Sequence, residues 1–193
     1  WRRGPQGLRE SLAPDDRIVL EATDYALAIA RILAPHVAEV VLAHALMKTG
    51  AALLPLSPRL TPAERAVVVA AEDPIVDLDD PGELTQTEAD LPLLGEHDMD
   101  DVCARVLTSS STGAPRPVGL TYGNFLWSAV GSAFNIGVEP EDRWLCCLPL
   151  SHISGLSIVM RSVIYGTTAV LHDGFDVDRA AAALERDEIS VVS

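Results

Sequence analysis

Short apolar runs and longer stretches of helical period alternate through the second half of this chain. "DVCARVLTS" (Asp101–Ser109) and "RWLCCLPL" (Arg143–Leu150) carry apolar residues on both sides of a pleat, which predicts strands covered on both faces. "PVGLT" (Pro117–Thr121) predicts a further strand, and Thr121 is placed to cap a helix over Tyr122–Ile136. A helix in "ISGLSIVMRSVIYG", a strand in "TTAVLH", a helix in "DVDRAAAALERD" and a strand start in "EISVVS" follow in order. The first half is less regular. "RIVLEA" (Arg17–Ala22) suits a strand, and Tyr25–Leu33 and Val37–Met47 suit two helices separated by Pro35. Gly50 stands where a helix end wants a left-handed residue, and "AALLPL" (Ala51–Leu56) predicts a short buried strand. In "TPAERAVVVAA", Thr61 can cap, Pro62 fits the first turn and Glu64 completes a capping box. The alternation predicts an α/β fold, a mostly parallel sheet with helices on both faces.

Residues 1–15 read as an irregular lead-in, leaving 16–193 as one incomplete domain. The opening Trp1 in place of Met is the signature expected of a processed product or fragment. Composition narrows the classes. An apolar content of 48% calls for a packed core, and no apolar run reaches the length of a membrane span. The net charge of −14 argues against a nucleic-acid surface and provides no general attraction for anions. Its acid is concentrated in a loop region at 72–101, where 12 carboxylates stand with no Lys or Arg among them. Lys48 is the one lysine, against 13 arginines, so a basic group elsewhere in this chain must be arginine. Three cysteines, two of them adjacent, make a poor disulfide framework and fit a reducing cytoplasm. No His or Cys spacing suits a metal. Cys146 and Cys147 are expected to be core fillers facing opposite ways.

The chemistry is concentrated in "LTSSSTGAPRPVGLTYGN" (Leu107–Asn124). Ser109, Ser110, Ser111 and Thr112 bring hydroxyls, Gly113 permits close backbone approach, and Arg116 brings a forked cation. Composition alone also fits a flexible connector. Apolar strands on both sides place the segment within the domain instead. Neither a Walker loop nor a dinucleotide fingerprint is present.

"TSSSTGAPRPVGLTYGN" resembles the phosphate-binding loop of the AMP-forming acyl- and aryl-CoA synthetases, the adenylate-forming enzymes. "LPLSHISGL" (Leu148–Leu156) resembles that family's next landmark, and "GAALLPLSPRLTPAE" (Gly50–Glu64) an upstream one. The run "SGLSIVMRSVIYG" is similar to the o-succinylbenzoate-activating branch, which serves menaquinone synthesis. The resemblance implies part of the large N-terminal domain of an adenylate-forming enzyme. It implies that Thr108, Ser109, Ser111, Thr112, Gly113 and Arg116 hold the phosphates of ATP, with Ser110 in the same loop. His152 falls on the family's catalytic histidine. Ser154, Gly155 and Arg161 fall in the segment that shapes the acyl pocket, where Arg161 is expected to meet a second substrate carboxylate. The implied reactants are ATP, with Mg²⁺, a carboxylic acid and coenzyme A, and a homo-oligomer is compatible with all of this.

Three departures stand out. Ser110 replaces the first loop glycine, Arg116-Pro117 replaces a Lys-Gly pair, and Ser151 replaces an aromatic before His152. They support a competing reading as a degenerate, non-catalytic nucleotide-binding or interaction domain. A ligase for another aryl or fatty acid is a further alternative.

Overall fold

The computed structural model describes residues 35–48, 50–72, 74, 94–108, 116–186 and 189–192. The lead-in, the strand expected at Arg17–Ala22, the helix expected at Tyr25–Leu33 and most of the acidic region lie outside the described residues. Helix α1 covers Pro35–Lys48 and α2 Pro62–Glu72. Strands β1 (Val102–Thr108) and β2 (Arg116–Thr121) precede α3 (Tyr122–Ile136). Then come β3 (Arg143–Cys146), α4 (Ile153–Tyr165), β4 (Thr168–Leu171), α5 (Val177–Arg186) and β5 (Val191–Val192).

Local chemistry explains most boundaries. Pro35 opens α1 instead of merely separating two helices, because a first-turn residue needs no amide donor. At the other end Gly50 takes φ +78°, its N–H donates to Met47 O at 3.1 Å, and the Ala51 N–H donates to Leu46 O at 3.0 Å. This pair of bonds closes the last turn as a Schellman motif. Thr61 and Glu64 form the expected box: the Glu64 N–H donates to Thr61 Oγ1 at 3.3 Å, and the Thr61 N–H donates to Glu64 Oε2 at 2.8 Å. A second box starts α3, where the Asn124 N–H donates to Thr121 Oγ1 at 3.1 Å and the Thr121 N–H to Asn124 Oδ1 at 3.0 Å.

The parallel sheet has the order β4-β3-β5, with both neighbours parallel to β3. Trp144 and Cys146 point to one side and pack with Ile158 and Val159 of α4. Leu145 and Cys147 point to the other side and pack with Ala180 and Ala183 of α5. Helices therefore cover both faces, and the adjacent cysteines are free core residues that face opposite ways, as the alternation requires. Strands β1 and β2 instead form an antiparallel hairpin. Its inner face (Cys103, Ala104, Val106) shares a core with Met47 of α1, Phe125 of α3, and Leu156 and Met160 of α4. "AALLPL" is not a buried strand. Among the described residues only Leu53 bridges, parallel to Ala104; Ala52 is exposed and the other five residues are half-buried. Pro55 lacks the donor that a continued ladder would need.

His44 lies on α1 between Val40, which packs on the β3–α4 core, and Met47, which packs on the hairpin core. Burial drives its pKa from 6.5 down to about 4, and Nε2 has no partner. As pH falls below 6.5 the unfolded chain takes up a proton that the folded chain refuses, so stability falls toward pH 4. Urea unfolding at pH 7.5 and pH 5 should differ by about 2 kcal/mol from this group alone. His44→Met should remove that component of the difference. Equal pH dependence in both proteins would show that His44 stays accessible to protons.

Candidate functional site

The sheet order places a topological switch between β3 and β5. From β3 the chain goes outward through α4 to β4, then returns through α5 to the opposite side of β3. Open parallel sheets bind ligands outside the carboxyl ends of their strands at such a switch. The segment leaving the carboxyl end of β3 runs from Cys147 to His152 and enters α4.

His152 is the N-cap residue of α4, with φ −108° and ψ 143°, and its side chain makes no capping hydrogen bond. Its backbone is engaged, since its N–H donates to Pro149 O at 3.0 Å and its carbonyl accepts from Leu156 N at 3.1 Å. The imidazole is exposed. The ring neither caps the helix nor is buried, and it stands beside a helix N-terminus that favours negative charge. Ser154, two residues on, is also exposed.

Gly155 is buried, and it fixes the approach of α4 to the preceding loop. A Cβ there would run into the carbonyl oxygens of Leu148 and of Pro149, the second at 2.5 Å. Ser151 is buried, and its hydroxyl has no partner.

Arg161 lies nine residues beyond His152, about 13 Å along the helix axis at 1.5 Å per residue. The two side chains are thus at different levels of α4. The Arg161 guanidinium donates from Nη2 to Ser128 Oγ on α3 at 3.0 Å and lies 5.9 Å from the Trp144 ring centroid on β3. Its Nε is buried without a partner. Among the described residues no carboxylate pairs with it, although the chain holds 28 acids against 14 Lys and Arg. Nearby, the Tyr165 hydroxyl donates to Ala129 O, tying α4 to α3 again. Ser128 and Trp144 lie far from Arg161 in sequence, and only the folded arrangement brings them to it.

At the hairpin, Thr108 and Arg116 are register partners at the end where residues 109–115 join the two strands, and Thr108 Oγ1 donates to Arg116 O at 3.0 Å. Both are exposed. Ser109, Ser110, Ser111, Thr112 and Gly113 lie outside the described residues. Pro117 faces Leu107 in the β1–β2 ladder. Leu156 and Met160 of α4 pack against β1, so the hairpin and the helix behind His152 share one core. Among the described residues no group of three His, Cys, Asp or Glu could hold a metal, and no helix is long and apolar enough to cross a membrane.

An exposed histidine thus stands at the N-terminus of a helix that leaves the carboxyl edge of a parallel sheet and shares a core with the β1–β2 hairpin, in an α/β fold. Residues 72–193 match the family described as AMP-binding enzyme, and the chain belongs to that family. It is 38% identical over 183 residues to a 2-succinylbenzoate–CoA ligase of Bacillus pumilus (strain SAFR-032), covering 86% of this chain and 38% of that one. The chain thus spans well under half the length of this curated relative. Two structures of o-succinylbenzoate coenzyme A synthetase from Bacillus subtilis superpose with a TM-score of 0.75 at 30% identity, over 89% of this chain. One holds the acyl-adenylate intermediate, and this chain covers 52% of it. The other holds ATP and a magnesium ion and is covered to 54%.

Proposed function

We propose that this chain supplies the phosphate-facing and carboxylate-facing parts of an AMP-forming carboxylate–CoA ligase that acts on o-succinylbenzoate in menaquinone synthesis. The observation that carries this reading is His152, an exposed N-cap residue that does not cap, at the sheet's carboxyl edge. A substrate carboxylate oxygen attacks the α-phosphorus of ATP; pyrophosphate leaves and an acyl-adenylate forms. The coenzyme A thiolate then attacks the acyl carbonyl, and AMP departs.

In this reading Thr108, Ser109, Ser110, Ser111, Thr112, Gly113 and Arg116 hold the departing pyrophosphate end of ATP. Arg116, exposed where β2 leaves the loop, supplies charge that a protein of net charge −14 does not supply generally. His152 donates to the acyl carboxylate and the α-phosphate as charge builds there. The described residues offer no metal cluster of their own, so Mg²⁺ is expected to arrive on the phosphates of ATP, where it neutralises charge. Ser154, Gly155 and Arg161 line or shape the acyl pocket, with Arg161 taking the carboxylate that is not activated. Its partly buried side chain, with no carboxylate paired to it among the described residues, supports that role. Three free cysteines support a cytoplasmic setting.

ATP–pyrophosphate exchange with o-succinylbenzoate, run on the protein encoded by the complete gene, tests this. Exchange that depends on this acid supports the reading. Exchange only with other acids keeps the ligase and discards the substrate. A folded protein without exchange on any acid favours the non-catalytic reading, which Ser110, Pro117 and the unpartnered Ser151 hydroxyl support. Ser110→Gly is expected to tighten ATP binding several-fold, because glycine reaches backbone conformations that a Cβ disfavours. Calorimetric titration of both proteins checks it, and equal affinities would count against the loop argument.

A further inference from the structure

We propose that Ser128 and Trp144 are positioning residues for Arg161, holding its guanidinium where it reads the second carboxylate of a dicarboxylic substrate. This inference rests on the proposed acid ligase function and deepens it.

Three elements converge on one cation. Arg161 comes from α4, the Ser128 hydroxyl from α3 accepts from its Nη2 at 3.0 Å, and the Trp144 ring from β3 lies 5.9 Å from its central carbon. An arginine on a helix face ordinarily extends to water, because its long side chain loses rotamer freedom when held. Here it is held on two sides, no carboxylate among the described residues neutralises it, and Nε is buried with its donor unused. A partly desolvated guanidinium with an unused donor is costly in the free protein and gains most from an anionic ligand. Trp144 is itself fixed: it is 2% exposed, sits within the β3–α4 core and contacts Tyr165 with ring centroids 6.4 Å apart. Tyr165 in turn donates to Ala129 O, one residue from Ser128, so the ring and the hydroxyl that hold Arg161 are set by the same α3–α4 contact.

The fork geometry gives Ser128 and Trp144 distinct effects. The Ser128 bond selects which edge of the guanidinium faces away from α3, and the ring sets the plane in which that edge lies. Loss of either leaves the charge in place but lets the fork rotate, so recognition weakens while the chemistry at the other carboxylate continues.

The test compares o-succinylbenzoate with the matching monocarboxylate, in which hydrogen replaces the carboxyl that is not activated. KM and kcat for pyrophosphate exchange are measured on the full gene product and on Ser128→Ala, Ser128→Thr and Trp144→Phe. Ser128 is exposed, so its variants are not expected to perturb folding. Ser128→Ala should raise KM for the dicarboxylate roughly 5- to 10-fold with kcat little changed, Trp144→Phe roughly 3-fold, and Ser128→Thr should restore the parent value. KM for the monocarboxylate should stay the same throughout. Unchanged KM for the dicarboxylate in an active protein overturns this proposal alone. A rise of equal size for both acids also overturns it, since that marks a contact that only holds α3 to α4. Absence of exchange by the parent protein with either acid overturns the proposed function and this inference with it.

Discussion

Replacing His152 with alanine is expected to lower acid-dependent pyrophosphate exchange on the order of 100-fold and to leave unfolding free energy within about 0.5 kcal/mol of the parent. Both halves follow from the same geometry. The imidazole is exposed and caps nothing, so the fold does not depend on it. The residue's backbone does the structural work, through Pro149 O and Leu156 N, and alanine keeps both bonds. A donor beside the α4 N-terminus adds to a site already suited to negative charge, and removal of one such donor typically costs several kcal/mol of transition-state stabilisation. Parallel measurement of exchange rate and urea unfolding separates the two effects. A loss of stability matching the loss of exchange would mean that His152 is structural, and an unchanged exchange rate would remove it from the site.

Features that depend on a few neighbouring residues were legible in the sequence. The Thr61–Glu64 box, Thr121 at the start of α3, and Gly50 and the opposed cysteines all stand as the pattern implied, because each is decided within one turn or one pleat. The α/β class was legible for the same reason: two-sided apolar strands need helices on both faces. "AALLPL" misled because an apolar hexapeptide with Pro55 looks like a strand from hydrophobicity alone, whereas its pairing needs donors that proline removes. The length of "RWLCCLPL" misled similarly, as the ladder ends at Cys146 and the remainder turns toward His152.

The candidate site divides along the same line. Loop hydroxyls and His152 stood out through their resemblance to known motifs, and α4's free N-terminus gives His152 a physical setting. The surroundings of Arg161 did not stand out, because Ser128 and Trp144 are far from it in sequence and ordinary in their own elements. Their relation to Arg161 exists only after α3, α4 and β3 have packed. Resemblance located the cation; tertiary structure gave it neighbours.

Gly155→Ala is expected to destabilise the protein by more than about 3 kcal/mol, and to reduce exchange in whatever folded fraction survives. Ordinary helix propensity argues the other way, since alanine in place of glycine inside a helix normally adds up to about 1 kcal/mol. Packing reverses the sign. The added Cβ would meet two backbone carbonyl oxygens, those of Leu148 and Pro149, and backbone cannot rotate aside as a flexible side chain can. To make room, the Leu148–His152 segment must move away from α4. That segment supports His152 through the Pro149 carbonyl and carries the Cys146 Sγ contacts to Leu148 O and Gly155 O, both at 3.8 Å. Stability and site geometry are therefore coupled at one glycine. Ser154→Ala, one position earlier and exposed, is the matched control and should change stability by less than about 0.5 kcal/mol. Thermal unfolding of the pair checks the claim: similar melting temperatures for G155A and the parent would mean that the loop yields freely, and that His152 is held by something other than this close approach.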